Sequence, residues 1–347
     1  MAIKVLIVDD SALVRQVLSD IIKAEPGFVL IGTANDGEEA LNKINSLRPD
    51  VVTLDIEMPR LNGLECLAKI MANSPLPVIM VSYLSVKGAE VTMKAFELGA
   101  VDFITKPSPQ AIDTSSLNLI KQELIQKIKT AAGVNLNKLK EVVPVGESPK
   151  AVRIKKNLNL DLVAIGSSTG GPKALYYLLS QLPKDFPLGV VVAQHMPKDF
   201  TAVFAKRLND FCALEVTEAK TGDLIEPGKV LIAPSGYQTK IIRVKDSLQI
   251  VVSEEPRLIL KPSVDYLFSS LAESCKGRVL GIILTGMGSD GSHGMSQLRN
   301  LGARTIAQDE ESCVVYGMPR AAVEAGGVEF VESLTSIYSR IITILNE

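Results

Sequence analysis

Two α/β domains in series, each built on a mostly parallel sheet, are what this sequence predicts. The observations behind that are a length of 347 residues, two runs of alternating strand-like and helix-like segments, and an aperiodic stretch between them. At roughly 150 residues per domain the length suits two units, each large enough to bury a core of its own.

In the first run, Val5–Val8, Val29–Gly32, Val51–Leu54, Val78–Val81 and Asp102–Thr105 read as buried strands. Their apolar character is continuous rather than alternating, as expected for parallel strands covered on both faces. Amphipathic stretches of helical length, among them Leu13–Lys23 and Glu38–Leu47, separate them. Five such βα units imply a doubly wound parallel sheet over residues 1–132. Residues 133–159 carry Pro144, Pro149, many lysines and no clear period, the composition of a linker. In the third segment, 160–347, strand-like runs recur at Leu162–Ile165, Gly189–Ala193, Val230–Ile232, Ile241–Val244, Leu248–Val252 and Val279–Leu284. Helix-like runs there include Lys173–Leu182, Ala202–Asn209 and Val264–Ser274.

Composition narrows the function. Hydrophobic residues make up 46% and charged residues 22%, with a formal net charge of -2. No basic field is present to attract nucleic acid or an anionic membrane, and the second half lacks a basic recognition helix. No apolar run approaches the ~18 residues of a membrane span, so no membrane insertion is expected. The start of the chain has no signal-peptide pattern. Cys66, Cys212, Cys275 and Cys313 are widely spaced and only two histidines are available. That argues against a zinc cluster and for reduced thiols in a cytosolic protein, expected to be a monomer.

The first chemical pattern is a set of acids at strand ends. Asp9 and Asp10 end the first strand and Asp55 ends the third. A 2-1-3-4-5 strand order would set strands one and three side by side, converging three carboxylates at the carboxyl edge, where open α/β sheets bind ligands. Their repulsion suits a hard divalent cation such as Mg²⁺. Ser82 and Lys106, at the ends of strands four and five, add a hydroxyl and an ammonium for phosphoryl oxygens. Any one Asp after a strand is most often a helix cap, and Asp10-Ser11 could serve so. A matched set on four strand ends goes beyond capping.

Residues 1 to about 130 resemble response-regulator receiver domains, on VDD at 8–10, LDIEMP at 54–59, Ser82 and KP at 106–107. The resemblance implies a flavodoxin-like fold with Asp55 as phospho-acceptor. Asp9, Asp10, Asp55 and the Glu57 backbone carbonyl would surround Mg²⁺. It also implies Ser82 and Phe103 as hydroxyl and aromatic switch positions, Lys106 at the phosphoryl group, and a cis Lys106-Pro107 bond.

The second pattern is a nucleophile on a turn. Residues 166–170, GSSTG, fit G-x-S-x-G with Ser168 at the centre, between a strand and a helix. The Thr169 N–H and the helix N-terminus offer donors to an oxyanion. The same turn could cradle an anion without chemistry. A base is needed for hydrolysis. His195 follows the strand GVVVAQ, whereas His293 lies with Asp290 in GMGSDGSHG after another strand. Spacing alone leaves either histidine open as the base.

Residues from about 161 to 330 resemble the catalytic domain of chemotaxis protein-glutamate methylesterases, the CheB family. The matching runs are IGSSTGGP at 165–172, AQHMP at 193–197, LIAPSGYQ at 231–238, KPSVD at 261–265 and LTGMGSDG at 284–291. The resemblance implies Ser168, His195 and Asp290 as a catalytic triad, Thr169 and Met287 N–H groups as the oxyanion hole, and no role for His293. Its substrates would be methyl-esterified glutamates on chemoreceptors, with glutamine deamidation by the same route and no cofactor for the esterase step. A chemotaxis histidine kinase would supply the phosphoryl group. Ser167 stands where this family usually has Ala.

Overall fold

The computed structural model describes residues 2–83, 86–106, 114–134, 159–256, 258 and 260–347. The chain divides into two compact units, Met1–Lys140 and Glu141–Glu347. The expected linker, 133–159, lies almost wholly outside the described residues. Pro107 is also outside them, and with it the expected cis bond.

The first unit runs β1 (Ile3–Val8), α1 (Ala12–Ala24), β2 (Phe28–Ala34), α2 (Gly37–Leu47), β3 (Val51–Asp55), α3 (Gly63–Asn73), β4 (Val78–Ser82), α4 (Val86–Leu98), β5 (Asp102–Thr105) and α5 (Thr114–Ala132). Its five strands pair in parallel in the order β2-β1-β3-β4-β5. The apolar runs become strands because helices cover both faces: all of β3 and β4 is buried. Side-chain caps start the helices. Ser11 accepts from the Val14 N–H, Asp36 from the Glu38 and Glu39 N–H groups, and Asn62 from the Glu65 N–H. β1 stops at Val8, so Asp9 and Asp10 stand just beyond the strand, on the loop into α1.

The second unit begins with β6 (Leu162–Ser167), α6 (Gly171–Ser180), β7 (Gly189–Gln194), α7 (Phe200–Asn209), β8 (Glu215–Glu218), β9 (Lys229–Ile232), β10 (Gln238–Val244) and β11 (Ser247–Ser253). It continues with α8 (Val264–Cys275), β12 (Val279–Ile283), α9 (Ser292–Asn300), β13 (Arg304–Gln308), α10 (Met318–Glu324), β14 (Phe330–Glu332) and α11 (Leu334–Asn346). Seven strands form one sheet, ordered β14-β13-β12-β6-β7-β9-β8, with every pairing parallel. β10 and β11 form an antiparallel hairpin.

Phe186, Phe200 and Phe268 are fully buried in this unit; each such side chain contributes roughly 1.5–3 kcal/mol by leaving water. The apolar stripe Leu334, Ile337, Ile341, Ile344 and Leu345 fastens the terminal helix α11 by helical spacing. β6, β7 and β12 lie together at the centre, so the loops after them share one rim. Three strands escape the hydrophobic pattern. β8 reads EVTE, β13 mixes polar and apolar residues, and β14 has only three residues.

Candidate functional site

In the second unit, Ser168 follows β6 on a turn closed by a Gly171 N–H to Ser168 carbonyl bond of 2.7 Å. Gly170 there has φ 78°, a left-handed conformation that a side chain disfavours. A Cβ on Gly170 would also lie 2.6 Å from Cβ of Val314. Ser168 is half-buried between buried Ser167 and Thr169, so the turn brings this one serine toward the rim.

Register brings His195 beside it. The last β6–β7 pair is Ser167 with Gln194, and the His195 N–H continues the ladder to the Ser167 carbonyl at 3.1 Å. The Gln194 amide then donates to the Ser168 carbonyl at 3.0 Å and the His195 carbonyl at 2.9 Å. From the far side of β6, the Ser168 N–H donates to the Thr285 carbonyl at 3.1 Å. The Thr285 hydroxyl donates to the Thr169 carbonyl at 3.0 Å and accepts the Val315 N–H at 2.9 Å.

Asp290, on the loop after β12, meets His195 Nε2 at 2.8 Å. Its carboxylate also receives the Ser263 hydroxyl at 2.9 Å, the Val264 N–H at 2.6 Å and the Asp265 N–H at 3.0 Å. These donors cluster at the start of α8, where the helix dipole favours negative charge. Burial works against ionising Asp290. The His195 bond and the backbone donors outweigh it and hold the carboxyl below its ordinary range. An ionised Asp290 only accepts, so His195 Nε2 carries the proton and Nδ1 is the lone-pair nitrogen.

Thr169 follows Ser168 on the turn, and Met287 lies on the loop between β12 and Asp290. His293 is exposed on α9 and bonds Gln297 instead, at 2.9 Å. Gln194, Ser263 and Thr285 escaped sequence reading. Ser263 carried a local signal, a serine just before an apolar helical run. Nothing in the sequence links it to a residue in a distant loop.

In the first unit, one carboxylate oxygen each from Asp9, Asp10 and Asp55 lies within 4.8 Å of the others. Lys106 Nζ stands 3.0 Å from Asp9 Oδ2 and 2.7 Å from Asp55 Oδ2. Apart from that ammonium, neither buried oxygen has a hydrogen-bond partner among the described residues. Burial, with a smaller push from the Asp9 charge, raises the Asp55 carboxyl to about 6 against the lowering pull of Lys106. An open cleft of about 640 Å³ beside the acids is lined by Asp10, Glu57, Met58, Pro59 and Asn62. Ser82 is buried at the end of β4, and Phe103 is buried on β5 edge-on to Phe96.

Comparison with known proteins agrees with both halves. Residues 163–341 match the CheB methylesterase family model and residues 5–115 match the response regulator receiver domain model. A protein-glutamate methylesterase/protein-glutamine glutaminase of Syntrophotalea carbinolica is 44% identical, over 99% of this chain and 98% of its own. A protein of the same name from Archaeoglobus fulgidus is 44% identical over 99% and 98%. The crystal structure of the Thermotoga maritima CheB methylesterase catalytic domain aligns with TM-score 0.52 and 36% identity, covering 53% of this chain and 98% of that one. With relatives matching it from end to end and the esterase model spanning its second unit, the chain belongs to the CheB methylesterase family.

Proposed function

We propose that this chain is a phosphorylation-activated protein-glutamate methylesterase. It hydrolyses glutamate methyl esters on chemoreceptors and deamidates receptor glutamines, for sensory adaptation in chemotaxis. The observation that carries this reading is the Asp290–His195 bond beside the Ser168 turn.

Ser168 Oγ attacks the ester carbonyl carbon as His195 Nδ1 takes its proton, and Asp290 stabilises the resulting imidazolium. The Thr169 and Met287 N–H groups receive the oxyanion. Collapse breaks the bond to the methoxy oxygen, which leaves as methanol with the proton from His195. Water, deprotonated by the same nitrogen, then hydrolyses the acyl-enzyme. A glutamine side chain follows the same path with ammonia leaving.

In the first unit, Asp55 is the phospho-acceptor. Three converging carboxylates, two of them with a buried oxygen that meets only the Lys106 ammonium, suit Mg²⁺, held by Asp9, Asp10, Asp55 and the Glu57 carbonyl. When bound, the ion neutralises charge on the transferring phosphoryl group. Lys106 and Ser82 contact the phosphoryl oxygens, and Phe103 reports the change. A chemotaxis histidine kinase is the phosphodonor.

The test is methanol release from methylated receptor membranes, with and without acetyl phosphate. Wild type should accelerate with the phosphodonor, Asp55→Ala should stay at its basal rate, and Ser168→Ala should release none. Methanol release by Ser168→Ala at the wild-type rate would refute the reading.

A further inference from the structure

Ser167 is fully buried beside Ser168, and so is Gln194 at the end of β7. The Ser167 hydroxyl lies 2.7 Å from Gln194 Oε1. Chemistry dictates which way this pair points. Gln194 Nε2 faces the carbonyls of Ser168 and His195, at 3.0 and 2.9 Å, and a carbonyl can only accept. Both amide hydrogens are thereby used, the amide oxygen must face Ser167, and Ser167 must donate.

We infer that Ser167 and Gln194 are positioning residues: Ser167 locks the Gln194 amide, which clamps the Ser168 backbone to the His195 backbone. The clamp begins where the β6–β7 pairing ends, at the Ser167–Gln194 pair. Past that pair one last ladder bond, the His195 N–H to the Ser167 carbonyl at 3.1 Å, holds the strands, and the buried amide adds the tie from Ser168 to His195. The fit is tight. A Cβ on Gly171 would lie 2.0 Å from Gln194 Oε1 and 2.9 Å from Ser167 Cβ, so only glycine leaves the pair its space. The same geometry disqualifies Ser167 as a rival nucleophile, because its hydroxyl is covered and its proton is committed.

This inference rests on the esterase reading, and two measurements separate them. One is kcat and KM for methanol release. The other is the second-order rate at which a fluorophosphonate labels Ser168, which needs the triad but no receptor. Ser167→Ala leaves a buried acceptor unpaired. It should lower kcat and the labelling rate together by about 5- to 10-fold, with KM unchanged. Gln194→Met, of similar length but without hydrogen bonds, should lower both further. In the Gln194→Met background Ser167→Ala should have no added effect, because Ser167 acts only through the amide. Ser167→Cys, a weaker donor of similar size, should fall between wild type and Ala, and it serves if the Ala variant folds poorly by its thermal midpoint.

Unchanged kcat in Ser167→Ala, additive losses in the double variant, or a label mapped to Ser167 would each overturn the clamp. Failure of the esterase reading looks different: the reagent would leave wild type unlabelled at Ser168. A wild type that is labelled yet releases no methanol from receptors still reports the clamp through its labelling rate.

Discussion

One oxygen of Ser263 serves both α8 and Asp290. Its hydroxyl donates to Asp290 Oδ1 at 2.9 Å while accepting the Tyr266 N–H at 3.3 Å as the helix cap. The carboxylate that orients His195 is therefore held by the start of a helix and moves only if that helix moves. Ser263 is itself fixed, because its N–H donates to Gln238 Oε1 at 2.9 Å.

Ser263→Ala should therefore act on stability and turnover together. Loss of the cap costs about 1 kcal/mol. Loss of one carboxylate donor lets Asp290 and His195 drift, and kcat should fall by about 10-fold with KM little changed. Ser263→Thr keeps the hydroxyl and should restore most of both. Methanol-release kinetics beside a urea melt decide it; an Ala variant with wild-type kcat would show that the helix N–H groups suffice.

Asp290→Asn should lower kcat by a factor on the order of 10⁴, by analogy with other serine hydrolase triads, since the neutral side chain cannot stabilise an imidazolium. Its stability effect should depend on pH. The folded carboxyl titrates below its ordinary value of 3.8. The charged form therefore contributes fully above that value and loses its contribution as pH falls through the folded one. The stability gap between wild type and variant should be flat near neutrality and shrink in acid. Urea melts across a pH series test this, and a gap that widens in acid would contradict the assignment.

Gly286→Ala should damage the rim through a single methyl. The added Cβ would lie 2.3 Å from Met318 Sδ, 2.9 Å from Ser168 Cβ and 3.0 Å from the Ser168 nitrogen. Overpacking of this kind costs about 1–3 kcal/mol. Because the displaced atoms belong to Ser168, the proposed nucleophile, its labelling by a fluorophosphonate should slow by about 100-fold. A near-normal labelling rate would mean that the turn has room to yield.

Lys106→Met should destabilise the first unit by about 3–5 kcal/mol in the presence of EDTA, because Asp9 and Asp55 lose the ammonium that offsets their buried charge. Added Mg²⁺ should return much of that stability. Thermal melts in EDTA and in Mg²⁺ measure it. Equal melting in both would count against the cation site.

Much of this molecule was legible in the sequence because the relevant signals are local. Continuous apolar runs marked the strands of both parallel sheets, and the residues just beyond them, Asp9, Asp55, Ser168, His195 and Asp290, fell at carboxyl ends where such sheets carry their chemistry. The short or polar strands β8, β13 and β14 gave no such signal and are strands because the sheet recruits them, β8 and β14 at its two edges and β13 between β12 and β14. Tertiary structure alone decided that His195 presents Nε2 to Asp290, that Ser263 and the α8 N-terminus hold that carboxylate, and that Gln194 bridges Ser168 and His195 with Ser167 behind it. The reason is the nature of the two kinds of information. Hydrophobic period is written within a few residues, whereas these bonds join residues up to 95 positions apart, which meet only after the crossovers have set the strand order.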